Sequence, residues 1–161
     1  MKRIGYGQVE PNHLSAQRTG QIYAQLPAHS DIEILENGMF AKYDIANGCV
    51  NMTGDGEWML VFNEVKLYDD AWRESYKDFA MKKSNYFGDV MVPRLFKTNV
   101  GDIFTTNCIA GEDELEVGHF VVPGADGYLV KGDKGTGMAW KVVKVYTMPD
   151  GQPGVKLQRV Q

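Results

Sequence analysis

Met91-Val92-Pro93-Arg94-Leu95-Phe96-Lys97-Thr98-Asn99-Val100-Gly101-Asp102-Ile103-Phe104-Thr105-Thr106-Asn107 is the stretch whose reading decides the fold class. Two apolar, β-prone runs flank a Thr-Asn-Val-Gly-Asp break. Val90, Val92, Leu95 and Phe96 belong to the first, and Ile103, Phe104 and Ile109 to the second. Asn, Gly and Asp supply the positive φ and the local hydrogen bonds of a reversal. The pattern predicts strand, turn, strand near the middle of a β domain. Pro93 falls at a strand start or edge, where its missing N–H does no harm. The stretch holds no nucleophile poised by a partner, no metal-ligand spacing and no phosphate loop, so it speaks for architecture before chemistry.

Downstream, the β pattern continues. Phe120-Val121-Val122-Pro123 and Tyr128-Leu129-Val130 bracket the turn Gly124-Ala125-Asp126-Gly127. Gly132-Asp133-Lys134-Gly135-Thr136-Gly137 then leads into a long strand from Met138 to Met148. Strict alternation puts Trp140, Val142, Tyr146 and Met148 on one face, and Ala139, Val143 and Val145 on the other. Pro149-Asp150-Gly151 turns the chain, and Val155 to Val160 returns as the last strand. Turns at this spacing point to a sandwich or small barrel. The absence of a βαβ rhythm argues against a parallel nucleotide-binding sheet.

Upstream, Asn37-Gly38 between Ile32/Ile34 and Met39–Tyr43 is a hairpin signal. Asn47-Gly48 and Thr53-Gly54-Asp55-Gly56 mark two further reversals. Trp58 to Tyr68 is nearly continuous in apolar residues, as expected of a strand covered on both faces. Asp69 to Ser84 reads two ways. Trp72, Tyr76, Phe79, Ala80 and Lys83 fall at helical spacing, whereas Lys77–Lys82 alternates as a strand that could pair with Met91–Lys97. The preferred reading is a short helix over Asp70–Tyr76 running into a strand.

Residues 1–30 differ in texture and read as an extended N-terminal arm, with 31–161 as a single β-rich domain. The arm is rich in Gln, Gly and small polar groups, yet Tyr6, Val9, Leu14, Ile22, Tyr23 and Leu26 recur as apolar anchors. A disordered tail lacks such anchors, and a core helix would space them helically. The expectation is an arm that drops these side chains into pockets on a partner surface; a frayed terminus or a short helix from Leu14 to Gly20 is the alternative.

Bulk composition bounds the function. The chain has 161 residues, an apolar fraction of 43%, 18 glycines and a net charge of −4. That suits one turn-rich globular domain. No apolar window is long enough for a membrane helix, and the basic N-terminus has no apolar run behind it to make a secretory signal. Lys and Arg are scattered rather than striped, which disfavours nucleic acid as a partner. Cys49 and Cys108 lack a CxxC partner and read as free thiols of a reducing compartment.

Candidate chemistry is sparse. His13, His29 and His119 stand apart, without the ligand spacing of a zinc site. Gly132–Gly137 lacks the GxxxxGK[ST] pattern and precedes a strand, not a helix. Neither the acidic run Glu112-Asp113-Glu114-Leu115-Glu116 nor Asp55-Gly56-Glu57 has the alternating oxygen ligands of a calcium loop. No GxSxG elbow occurs, and paired acid/base carboxylates declare themselves by environment rather than spacing. Trp58, Trp72 and Trp140 read as packing residues. No catalytic residue, metal ligand or cofactor site is therefore assigned.

Three passages together carry a resemblance. They are the arm Gly5–Gln17, the central Met91–Thr98 and Val100–Asn107, and the ending Thr147-Met148-Pro149-Asp150-Gly151-Gln152-Pro153-Gly154-Val155-Lys156-Leu157-Gln158-Arg159. The combination resembles the capsid decoration (cement) proteins and related head structural proteins of tailed bacteriophages. The resemblance implies a small β-sandwich or β-barrel body, β-tulip-like, with an extended N-terminal arm and at most one or two short helices. It implies a non-enzymatic virion protein that binds the outside of the major-capsid lattice and stabilises it, self-associating with a trimer favoured. Such a protein would contact neither nucleic acid nor membrane, and would be made in the host cytoplasm and end on the capsid exterior. Another virion component, such as a head–tail joining or tail-tube protein, and a small enzyme or ligand-binding β-barrel with Trp58 or Trp140 lining a pocket remain the alternatives.

Overall fold

The computed structural model describes residues 3, 5–15, 26–63, 79–111 and 114–161. The protein is mainly β, built from antiparallel sheets. Twelve strands are described, the first eight being β1 (Val9–His13), β2 (Ile34–Glu36), β3 (Phe40–Asp44), β4 (Cys49–Asn51), β5 (Met59–Val61), β6 (Ala80–Lys82), β7 (Leu95–Phe96) and β8 (Ile103–Thr106). The last four are β9 (Phe120–Pro123), β10 (Leu129–Gly132), β11 (Trp140–Thr147) and β12 (Pro153–Arg159). Single 3-10 turns at Lys83–Asn85 and Phe87–Asp89 interrupt the strand pattern. A six-stranded sheet has the order β1-β8-β12-β11-β9-β10, a four-stranded sheet the order β4-β3-β5-β7, and β2 pairs with β6. No sheet closes into a barrel among the described residues.

The four-stranded sheet is the middle layer, and its sequence explains why. Phe40, Leu60 and Phe96 stand opposite one another across β3, β5 and β7. They face the six-stranded sheet, packing with Phe104, Trp140, Val142, Val155 and Leu157. One residue along, Ala41 opposes Met59 and Val61 opposes Leu95. These point the other way, onto Leu35 of β2 and Met81 of β6, with Met91 and Cys108. A strand with both faces buried reads as a continuous apolar run, and Met59-Leu60-Val61 is that run. Each such side chain contributes about 1.5–3 kcal/mol of burial. At the centre of the first core, the Phe104 and Trp140 rings meet edge to face, 4.7 Å between centroids, with Phe40 5.8 Å from Trp140.

The stretch Met91–Asn107 is strand, turn, strand, as its sequence reads. Gly101 adopts φ 97°, and the Asp102 carboxylate accepts from the Asn99 N–H at 2.9 Å. Its two strands lie in different sheets: β7 pairs with β5, while β8 pairs with β1 and β12. The turn is therefore a corner that carries the chain from the middle layer to the outer one. Asn37-Gly38 behaves likewise. The reversal forms, with Gly38 at φ 98°, but β2 leaves to pair with β6 and β3 pairs with β4 and β5, so the expected hairpin is absent. Local turn chemistry sets the reversal, and partner choice is tertiary. The predicted reversal at Asn47-Gly48 joins the paired β3 and β4, and the Gly124–Gly127 turn joins β9 and β10.

Three other expectations need correction. β6 pairs with β2, not with Met91–Lys97; the helix expected over 70–76 lies outside the described residues. A β-bulge between Val142 and Lys144 breaks the alternation of β11. Trp140 and Val142 are fully buried, and beyond the bulge the pairing shifts by one, with Val145 opposite Val155 and Tyr146 opposite Gly154, while Val145 is exposed and Tyr146 half-buried. Finally, residues 9–13 of the supposed arm form β1, at the edge of the six-stranded sheet. Val9 and Leu14 sit in the chain's own core instead of awaiting a partner.

Candidate functional site

A buried polar cluster gathers where the N-terminal segment crosses the body. Glu36 ends β2 and is 4% exposed. The tight Glu36–Met39 turn, closed by the Met39 N–H on the Glu36 carbonyl, holds its side chain towards the chain's beginning. Arg3 donates to both carboxylate oxygens, to Oε1 at 3.0 Å and to Oε2 at shorter range. The Tyr128 hydroxyl donates to Oε1 at 2.6 Å, and the Gly7 N–H donates to Oε2. Both oxygens are thus occupied by two donors each. The Arg3 guanidinium also lies 5.6 Å from the Tyr128 ring centroid.

Glycine makes the approach possible. A Cβ on Gly7 would fall 2.5 Å from the Asn37 carbonyl oxygen and 2.7 Å from the Cys108 sulfur. One on Gly38 would fall 2.6 Å from the Cys108 Cβ. The two glycines let separate backbones close around the Cys108 side chain.

The electrostatics follow from the contacts. Burial alone would raise the Glu36 pKa; the hydrogen bonds from Arg3, Tyr128 and Gly7 outweigh it and hold the carboxyl below its ordinary value. For Arg3, burial opposes the charge, but the Glu36 hydrogen bond and its field carry the pKa above the ordinary value. Tyr128 is pushed up, first by burial and then by donating to Glu36. Cys108 is pushed up by burial, only partly offset by Arg3, and its thiol stays protonated. A carboxylate with four donors and a sealed thiol can fix a chain segment; it offers neither a free general base nor a thiolate nucleophile.

Two amide networks flank this cluster. The Asn37 Nδ2 donates to the Asn63 carbonyl at 3.1 Å, and the Asn63 N–H donates to the Asn37 Oδ1 at 2.7 Å. The Arg94 N–H donates to the Asn63 Oδ1 at 2.9 Å, which joins the β5 and β7 ends to the Asn37 turn. On the other side, the Gln8 N–H donates to the Asn107 Oδ1 at 2.7 Å, and the Gln8 Nε2 to Asp150 at 2.9 Å. Asn107 in turn donates to the Gln152 Oε1 at 2.6 Å.

The residues singled out from the sequence fall as follows. Of the six arm anchors, Val9 and Leu14 are core residues, and Leu26 packs half-buried against the second core cluster. Tyr6 is half-buried with the Lys82 ammonium 4.8 Å from its ring centroid. Ile22 and Tyr23 lie outside the described residues. The structure brings Tyr6, Val9 and Leu14 together along one segment, and it binds that segment to the chain itself. Cys49 and Cys108 are both free and buried. His29 sits 3.4 Å from Asp31, His119 lies 3.9 Å from Glu116, and His13 closes β1. Among the described residues no group of three His, Cys, Asp or Glu is placed to hold a metal ion. Trp140 is central core, Trp58 packs at its margin under Lys42, and Trp72 is outside the described residues.

The sequence reading missed Arg3, Glu36 and Tyr128. Glu36 carried one weak signal, a charge ending an apolar strand directly before Asn-Gly. Its partners Arg3 and Tyr128 are 33 and 92 residues away, beyond any local spacing rule. No protein-family model, curated protein or solved structure matches the chain.

Proposed function

We propose that the chain is a non-enzymatic structural protein of a tailed-phage virion that binds the outer surface of an expanded capsid lattice and stabilises it. Its partners are the major capsid protein and further copies of itself, a trimer being favoured, with no contact to nucleic acid or membrane. It is made in the host cytoplasm and resides on the capsid exterior. The phage assignment comes from the three passages that resemble decoration proteins. The observation that best supports a structural role is the Glu36 cluster, in which Arg3, the Tyr128 hydroxyl and the Gly7 N–H all converge on one buried carboxylate and tie down the N-terminal segment.

Exposed apolar side chains support a binding role. Phe87 is fully exposed on a turn whose next two residues, Gly88 and Asp89, both take positive φ, and Val90 and Val92 follow it at the surface. An exposed aromatic held on a shaped turn suits insertion into a pocket of a neighbour. Many copies on one shell add avidity where contacts bridge subunits.

The test is co-sedimentation of the purified protein with expanded, undecorated shells of its major capsid protein, followed by thermal rupture. Binding over the whole lattice with a raised rupture temperature is the expected result. Failure to bind overturns the proposal, and binding confined to one vertex favours a connector role instead.

A further inference from the structure

Arg3 and residues 5–15 are attached to the body in the way a bound peptide would be. Among the described residues β1 is the terminal strand of its sheet, paired with β8. The other attachments are mainly polar and distant in sequence. Arg3 and the Gly7 N–H meet Glu36, Tyr6 meets Lys82, Gln8 meets Asn107 and Asp150, and Ser15 donates to Asp102 at 2.8 Å. The shortest of these hydrogen-bonded separations is 29 residues, from Gly7 to Glu36. Among the described residues of the segment, Val9 and Leu14 enter the apolar core. Interfaces within a chain that are this polar resemble transient contacts between proteins, and a strand added to a sheet edge is a standard mode of recognition.

The Arg3–Glu36 pair adds a second argument. A buried ion pair gives little net stability over an apolar replacement, yet it strongly penalises a missing or misplaced partner. It therefore sets register and partner, which a strand offered by another molecule needs. Pro11 and the bulge between Pro11 and His13 blunt β1, the edge strand among the described residues, against further strands adding beyond it. The groove beside β8 takes one strand and then closes.

We propose that this segment is exchanged between copies, so that β1 of one chain lies on β8 of the next. The inference rests on the self-association put forward above and names its contact. The exchanged strand makes the contacts it makes within one chain, so the exchange costs little. Residues 16–25 join Ser15 to Leu26, and ten residues span at most about 33–36 Å. The two copies must therefore adjoin directly, and head-to-tail exchange closes into a ring.

Glu10 and Thr105 are opposite one another in β1 and β8, and the two native cysteines are buried. The experiment mixes the single variants Glu10→Cys and Thr105→Cys during refolding, oxidises the product, and runs it under denaturing, non-reducing conditions. The double variant is treated in parallel, and Val9→Cys with Thr106→Cys provides a second opposed pair. Thermal melts in reductant check that each variant folds. Exchange predicts a covalent dimer from the mixed singles and covalent oligomers of the native size from the double variant. An oligomer whose double variants stay monomeric after oxidation refutes exchange but leaves self-association standing. A wild-type chain that sediments as a monomer overturns both, and failure of either pair to oxidise refutes the β1–β8 contact itself.

Discussion

Replacing Glu36 by Gln isolates the contribution of charge at the N-terminal cluster. The amide keeps the shape of the side chain but has one acceptor oxygen where the carboxylate has two. Four donors converge on Glu36: two from Arg3, one from Tyr128 and one from the Gly7 N–H. The Gln NH2 would confront at least one of them, and Arg3 would lose its counter-charge. Breaking a buried pair by removing one partner costs about 3–5 kcal/mol. The Arg3 side chain is 24% exposed against 5% for Glu36, so part of the guanidinium can turn to water. The lower end, about 3 kcal/mol, is therefore expected. For a chain of this size that is a fall in Tm of about 6–12 °C.

The pH dependence gives an independent reading. The Glu36 pKa is lowered by folding, so its contribution is complete above the unfolded carboxyl value of about 4.3 and is lost as pH falls through the lower folded value. Wild type should therefore lose stability on acidification below about pH 4 more steeply than Glu36→Gln, and the two should converge. Urea unfolding at several pH values measures both effects, and a double-mutant cycle with Arg3→Met reports the coupling. A Glu36→Gln loss below about 0.5 kcal/mol with no coupling would show that the pair does not hold the segment, and the account of the N-terminus would fail.

Gly7→Ala should destabilise by about 1–3 kcal/mol, because its Cβ meets the Asn37 carbonyl and the Cys108 sulfur and the segment must shift; proteolysis near the N-terminus should accelerate with it. Trp140→Ala should cost about 3–5 kcal/mol by chemical denaturation, since the ring is fully buried between Phe40 and Phe104. A thiol reagent should find both cysteines silent in the native protein and both reactive after unfolding, because both are buried and their pKa values are raised by burial. Phe87→Asp should leave the melting curve within about 0.5 kcal/mol of wild type while abolishing shell binding, because the side chain is fully exposed.

Much of this architecture could be read directly from residue order. Turn chemistry at 37–38, 47–48, 99–102 and 124–127 marked real reversals, since Gly, Asn and Asp act through their own backbone. The run from Trp58 to Tyr68 announced a strand covered on both faces; the strand is Met59–Val61, and residues 64–68 lie outside the described residues. Pairing was not legible in the same way. Asn37-Gly38 looks like a hairpin and is a corner between sheets, because a turn sets the direction of the chain but not the edge it finds. Alternation along β11 failed at Val142–Lys144, where a single extra residue shifts the phase and no local residue type announces it.

The N-terminus separates the two kinds of information most clearly. Composition and anchor spacing marked residues 1–30 as a segment distinct from the body, because Tyr6, Val9, Leu14, Ile22, Tyr23 and Leu26 do not follow the spacing of a core helix. Only the tertiary structure decided that the surface Val9–His13 meets is this chain's own β8, with Arg3 sealed onto Glu36. That choice depends on groups 29 to 142 residues apart arriving at one place. A sequence records each group's chemistry locally, whereas the low dielectric and close packing that make their pairing decisive exist only once the sheets have assembled.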